Sequence, residues 1–187
     1  RLLLRDNVRF RTSIERTYRR AIQAARQEIV IACAYFFPGR GLRRALEQAA
    51  LRGVRVRLLL QGHYEYFVPY HAARKLYGQL LRAGVEIHEY QASFLHAKVA
   101  VIDGYWATVG SSNLDPLSLL LAREANVVVV DQAFARQLHG RLERVIAEHS
   151  QPVSQDSILQ RAWQQRWRDR LAFGLMRLAL LLSGFRY

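Results

Sequence analysis

Four residues able to hold and attack a phosphate crowd into one stretch, FLHAKVAVIDGYWATVGSSNLDP (94–116): His96, Lys98, Ser111 and Asn113. Side chains on a strand alternate faces with period two, so a His-x-Lys pair on the β-rich segment FLHAKVAVID points one way while Ala97 and Val99 point the other. Asp103 closes that strand, and Asp103-Gly104 is a hairpin signal. A second strand, ATVGSSN, returns to Gly110, where glycine permits close backbone approach, and carries Ser111 and Asn113 at its tip. Imidazole, ammonium, hydroxyl and carboxamide would then converge on one point. Lys98 supplies charge, Ser111 and Asn113 supply hydrogen bonds, and His96 supplies a nucleophile or proton donor. Singly, each residue has an ordinary reading: a structural histidine, a turn, or a helix N-cap with Asp115-Pro116 as the helix start. The combined spacing carries the argument: His-x-Lys, four residues, Asp, six residues, Gly-Ser-x-Asn.

The elements that position these groups alternate between helical and extended periods. TSIERTYRRAIQAARQE opens on a capping box, Thr12 with Glu15, and repeats Ile14, Tyr18, Ala21, Ile22 and Ala25 at helical spacing. EIVIACAYFF is a β-branched and aromatic run stopped by Pro38-Gly39, as a buried strand would be. GLRRALEQAALRG predicts a helix closed by Gly53, VRVRLLLQG a strand, HAARKLYGQLLRAG a helix stopped by Gly84, and VEIHEY a strand. QGHYEYFVPYH, with Pro69, predicts a loop beside the pocket. After the hairpin come a strand, EANVVVVD, and a helix, QAFARQLHGRLERVIAEH. The order implies an α/β layered fold with a central sheet flanked by helices, over residues 1–150.

SQPVSQDS (150–157) is polar and contains Pro152, which predicts a linker to a distinct segment, 151–187. There Leu159, Trp163, Trp167, Leu171, Leu175, Leu178 and Leu182 recur every three or four residues as one apolar stripe. Six arginines (161, 166, 168, 170, 177 and 186) face only Asp156 and Asp169. The apolar part, 171–185, has Arg177 inside it and falls short of the roughly 20 residues a membrane span needs. A basic amphipathic helix lying in the membrane interface and a helix docking on another domain fit this pattern equally.

The balance of 28 basic and 15 acidic residues gives +13, a field suited to a polyanionic partner, either nucleic acid or an anionic membrane surface. Hydrophobic residues at 51% and charged residues at 23% exclude a disordered chain. The single cysteine, Cys33, lies in an apolar run, which predicts a buried, inert thiol and excludes an intrachain disulfide. Nothing has zinc-ligand spacing, so no metal or other cofactor is expected. His63 follows a strand end as a weak candidate contact, while His71, His88, His139 and His149 have no evident partners. The chain starts at Arg1 and its only methionine is Met176, so it reads as a piece of something longer.

On His96, Lys98, Asp103, Gly110, Ser111 and Asn113, the chain resembles the phospholipase D superfamily, whose signature is this HxK…D…GSxN pattern; the resemblance covers residues 1 to about 150. Glu124, in AREANVVVV, matches the family's glutamate behind the motif histidine. Within the family, RDNVRFRTSIERTY, AYFFPGRGLRRAL, VRVRLLLQG and WATVGSSNLDPLSLLLAREANVVV are similar to the second half of bacterial cardiolipin synthases of the B type. The resemblance implies a phosphohistidine intermediate made with two motif copies, one histidine attacking phosphorus and the other protonating the leaving alcohol. His96 would be the acid/base, Lys98, Ser111 and Asn113 would hold the phosphoryl oxygens, and Glu124 would accept from the other ring nitrogen of His96. Asp103, with Gly110, would be structural. The expected activity is phosphatidyl transfer to phosphatidylglycerol at the bacterial inner membrane, peripherally and on its cytoplasmic face. The expected partners are anionic phospholipids and either a missing N-terminal half or a second chain completing the site. A homodimeric nuclease of the same superfamily, with nucleic acid as partner, is the alternative, and a non-catalytic lipid-binding scaffold the third reading.

Overall fold

The structure is a computed structural model that describes residues 1–5, 12–115 and 123–182. Eight strands form one mixed sheet in the order β1-β7-β6-β5-β2-β3-β4-β8. At its centre β2 (Glu28–Cys33) pairs parallel with β3 (Arg55–Gln61) and antiparallel with β5 (Lys98–Ile102). β3 in turn pairs parallel with β4 (Glu86–Tyr90). β6 (Trp106–Gly110) joins β5 to β7 (Glu124–Val130), and β1 (Leu2–Arg5) closes that edge, all antiparallel. The parallel part arises where helices cross over between strands, and the antiparallel part where the Asp103-Gly104 hairpin turns the chain back. Asp103 and Gly104 both have positive φ, as such a tight turn demands.

The strands at the centre are buried on both faces, which is why they read as continuous apolar runs. Ile29, Ile31 and Cys33 of β2 join the larger core with α1 (Ser13–Ala24), α2 (Arg40–Leu51) and α3 (Phe67–Arg82). Val30 and Ala32 face the smaller core beneath α4 (Gln132–His149). The architecture is thus helices, sheet, helix, the α/β layered fold expected.

Several local expectations fail for physical reasons. Thr12 precedes α1 but makes no side-chain cap, because its backbone (φ −116, ψ 10) is not in the extended region a capping residue adopts. Ser13 Oγ instead donates to the Leu4 carbonyl at 2.7 Å. α3 begins at Phe67, not His71, so half of the expected loop is helix; Pro69 sits in its first turn, where the missing N–H has no partner to lose. The stretch 150–157 is not a linker. β8 (Ser150–Pro152) extends the sheet along β4, its proline tolerated on an edge, and Ser154 then caps α5 (Gln155–Leu159). Polar composition misled there because an edge strand keeps one side in water.

α6 (Trp163–Leu182) packs on α3 through the face opposite to the nominated stripe. Asp169, Ala172, Met176 and Leu180 are buried, and Phe173 meets Phe37 edge-on at 5.4 Å. The stripe itself faces solvent: Trp163 is 63% and Trp167 62% exposed, and Leu171, Leu175 and Leu178 are exposed with them. Pro116 and residues 6–11 and 183–187, including Arg186, lie outside the described residues, so the helix start at Asp115-Pro116 does too.

Candidate active site

Apart from Asp103, the motif residues lie where β2 and β6 end and β5 and β7 begin. β5 starts at Lys98, so His96 stands two residues before the strand rather than within it. Backbone pairing nevertheless continues past the strand end, with Ala34 N–H donating to Ala97 O at 3.1 Å. His96 is exposed and Lys98 is buried. Lys98 Nζ donates to the His96 carbonyl at 3.3 Å, so the two are tied through the backbone. Desolvation lowers the Lys98 pKa below the usual lysine value, against the raising effect of Cys33, Glu124, Asp115 and Glu65 nearby. A buried ammonium with so little direct pairing is held ready for an anion.

Gly110 explains itself by what surrounds it. A Cβ there would lie 2.3 Å from Asn126 Cγ and Oδ1 and 2.5 Å from the Ala125 carbonyl, distances no side chain tolerates. The close approach lets Ser111 N–H donate to Ala125 O at 3.0 Å and Ser112 N–H donate to Asn126 Oδ1 at 3.3 Å. Asn126, fully buried, donates in turn to Thr108 Oγ1 at 3.3 Å. Asn113 is fixed through Oδ1, which accepts from the Tyr35 N–H at 3.3 Å. Cys33 lies beneath it. Its thiol, pushed up to about 12 chiefly by burial, accepts from Leu114 N–H at 3.2 Å and tethers the motif's exit to β2. Sequence reasoning gave Cys33 no such role.

Glu124 is engaged by the motif's own serine. Its carboxylate accepts from Ser111 Oγ, and Ala125 N–H donates to the same Ser111 oxygen at 3.1 Å. Among the described residues no carboxylate hydrogen-bonds the His96 imidazole. Asp103 lies at the far end of β5, about 13–17 Å away along the strand. There it accepts three backbone N–H groups, Arg26 at 2.9 Å, Gln27 at 2.8 Å and Glu28 at 2.9 Å, clamping the hairpin to the start of β2.

Beside the cluster an apolar cavity of about 340 Å³ is lined by Tyr35, Phe36, Phe37, Tyr66, Pro69 and Met176, with Asp115 at its polar end. Tyr35 connects the two, its N–H on Asn113 and its hydroxyl donating to Glu65 at 2.6 Å. His63 lies nearby, its Nε2 2.7 Å from the Gln91 carbonyl.

Two histidines read as unpartnered have partners. His71 Nδ1 lies 2.7 Å from Asp169 Oδ1, joining α3 to α6. His139 Nε2 lies 2.6 Å from Glu28 Oε2. Glu28, His139 and Glu143 are close enough together to share a cation, but the Arg57 guanidinium is already there, bonded to Glu28 at 2.6 Å and to both oxygens of Glu143. That donor set reads as a filled ion-pair network.

Comparison with known proteins places these observations in context. Residues 18–146 match the family model described as cardiolipin synthase, PLD-like domain. Cardiolipin synthase B of Escherichia coli K12 is 45% identical over 184 residues, covering 98% of this chain and 45% of that protein. The chain therefore spans under half the length of that relative. Among solved structures, the phospholipase D family member Nuc from Salmonella typhimurium superposes with a TM-score of 0.68 at 18% identity, over 82% of this chain and 97% of Nuc. Phosphatidylserine synthase from Haemophilus influenzae gives 0.68 at 14% identity, over 89% of this chain and 42% of its own length. At such identities the last two likenesses speak for the fold alone.

Proposed function

As the chain belongs to the family of cardiolipin synthase, PLD-like domains, we propose that it supplies one half of a phosphatidyl-transfer site that makes cardiolipin from phosphatidylglycerol. The observation that carries this reading is the junction of a phosphate-holding cluster with an apolar cavity. Lys98, Ser111 and Asn113 stand at the strand ends, and the Tyr35–Met176 cavity opens beside them. A lipid phosphodiester needs both.

In the proposed reaction an imidazole from a second motif copy attacks phosphorus. A P–N bond forms as the bond to the departing glycerol oxygen breaks. His96, protonated, gives its proton to that oxygen. The hydroxyl of a second phosphatidylglycerol then attacks the phosphohistidine, losing its proton to His96, and the P–N bond breaks. Lys98 and Asn113 face the non-bridging oxygens as their charge grows. Ser111 joins them, and Glu124 orients it. One imidazole cannot serve both sides of phosphorus, so the second motif comes from elsewhere in a longer polypeptide or from another chain. Residues 1–150 would supply the catalytic groups, Met176 of α6 would complete the cavity, and the exposed Trp163–Leu178 stripe would lie in the interface of the bacterial inner membrane, on its cytoplasmic face.

Vesicles of phosphatidylglycerol and, separately, supercoiled plasmid without added metal distinguish the readings. The proposal expects cardiolipin and released glycerol from the polypeptide carrying this domain. DNA nicking without cardiolipin would favour the homodimeric nuclease instead.

A further inference from the structure

A second concavity, of about 280 Å³, lies between α2 and α3 on one side and the α5–α6 segment on the other. Seven of its lining residues are cationic: Arg43, Arg74, Lys75, Arg82, Arg161, Arg166 and Arg170. Like charges so close repel, and the carboxylates at hand are already engaged. Asp169 is taken by His71 at 2.7 Å and by Arg161 at 3.4 Å, while Glu89 is taken by Arg74 at 2.6 Å. Arg43 reaches Glu47 only at 3.7 Å. The Nε atoms of Arg43 and Arg161 are shut off from solvent with no hydrogen-bond partner. Among the described residues Lys75, Arg82, Arg166 and Arg170 have no acidic partner at all. A groove built this way is short of an anion.

Its position on α6 says which kind. Arg166, Arg170 and Arg177 follow one another along the helix surface, between the buried row of Asp169, Ala172, Met176 and Leu180 and the exposed row of Trp163, Trp167, Leu171 and Leu178. A ligand whose anionic head entered the groove would therefore lay its tail on exposed tryptophan and leucine. Inorganic phosphate has no use for that stripe, and a polynucleotide would leave it wet. We propose that this groove is a non-catalytic binding site for the phosphodiester headgroup of an anionic phospholipid, with its acyl chains along the Trp163–Leu178 face. None of the seven cations belongs to the Lys98 cluster, so the site stands apart from the transfer chemistry. Its role is to seat α6 on an anionic bilayer in a fixed orientation.

The test titrates dihexanoyl phosphatidylglycerol, kept below its micelle threshold, into the chain by calorimetry, with inorganic phosphate in a parallel arm. Every protein carries Lys98→Gln to weaken the motif's own phosphate contact. A groove variant (Lys75→Gln, Arg82→Gln, Arg166→Gln, Arg170→Gln) is compared with an equal-charge control (Arg16→Gln, Arg20→Gln, Arg136→Gln, Arg141→Gln). The proposal expects saturable lipid binding that weakens about tenfold or more in the groove variant, about fivefold with Arg170→Gln alone, and under about threefold in the control. Phosphate is expected to bind far more weakly than the lipid. Equal losses in groove and control variants, or phosphate binding as tightly as the lipid, would overturn it. Because Lys98 is replaced throughout, failure here speaks of the groove and leaves the catalytic reading to its own assay.

Discussion

Replacing Asp103 by alanine should cost stability without touching the reacting groups. The carboxylate accepts three N–H groups at 2.8 to 2.9 Å. Bonds to a charged acceptor contribute about 1.5–3 kcal/mol each, but the Arg26 and Gln27 amides lie toward solvent and recover water, so about 2 kcal/mol, chiefly the Glu28 bond, is lost. Asp103 also holds φ at +51°, where alanine costs about 1 kcal/mol more than aspartate or asparagine. The sum, about 3 kcal/mol, lowers the melting temperature of a chain this size by roughly 6–12 °C. Asp103→Asn keeps the backbone conformation and the oxygen facing Gln27 and Glu28, and should lose only about 1 kcal/mol. Thermal and urea unfolding followed by tryptophan fluorescence reads both, since Trp106 lies on the neighbouring strand. An Asp103→Ala midpoint within about 1 °C of wild type would refute the clamp. Asp103→Asn that is folded yet wholly inactive would make the carboxylate a reactant.

Gly110→Ala should destabilise by about 2–4 kcal/mol in urea unfolding, since its methyl would meet Asn126 and the Ala125 carbonyl at 2.3–2.5 Å. Gly140→Ala, with nothing within 4 Å on α4, should instead stabilise by about 0.5–1 kcal/mol; equal effects would contradict the crowding argument. Lys98→Met should abolish transfer yet raise stability at neutral pH by about 1 kcal/mol, because burial disfavours the ammonium; a lower melting temperature would contradict this. Glu86 and Glu143 are held below the usual carboxylate range, first by hydrogen bonds to Arg55 and Arg57 respectively. Depressed folded pKa values mean stability present above about pH 4.5 and lost as pH falls through the folded values. Arg57→Met should therefore flatten the acid limb of a stability-versus-pH curve, and an unchanged limb would place that dependence elsewhere.

What could be read from the residues was whatever short-range pattern decides. β7 and α4 follow EANVVVVD and QAFARQLHGRLERVIAEH almost to the residue, and α2 closes at Gly53 with φ +87. The placing of Lys98 and Gly110 at neighbouring strand ends was legible too, because one hairpin fixes it. Long-range pairings were not. His71 and Asp169 are 98 positions apart, His139 and Glu28 are 111 apart, and no local signal links them. The same holds for the Cys33 tether to Leu114 and for the bond between Ser111 and Glu124. The apolar stripe of α6 was visible, but the face that docks was the less conspicuous one, with an aspartate in it. β8 escaped notice because polar residues and a proline suit an edge strand as well as a linker.

Cardiolipin formation from phosphatidylglycerol vesicles by the polypeptide carrying this domain, wild type against His96→Ala, tests the central claim most directly. With folding and vesicle binding checked in both proteins, the account predicts that cardiolipin falls by at least about a hundredfold. Unchanged cardiolipin formation by His96→Ala would contradict it.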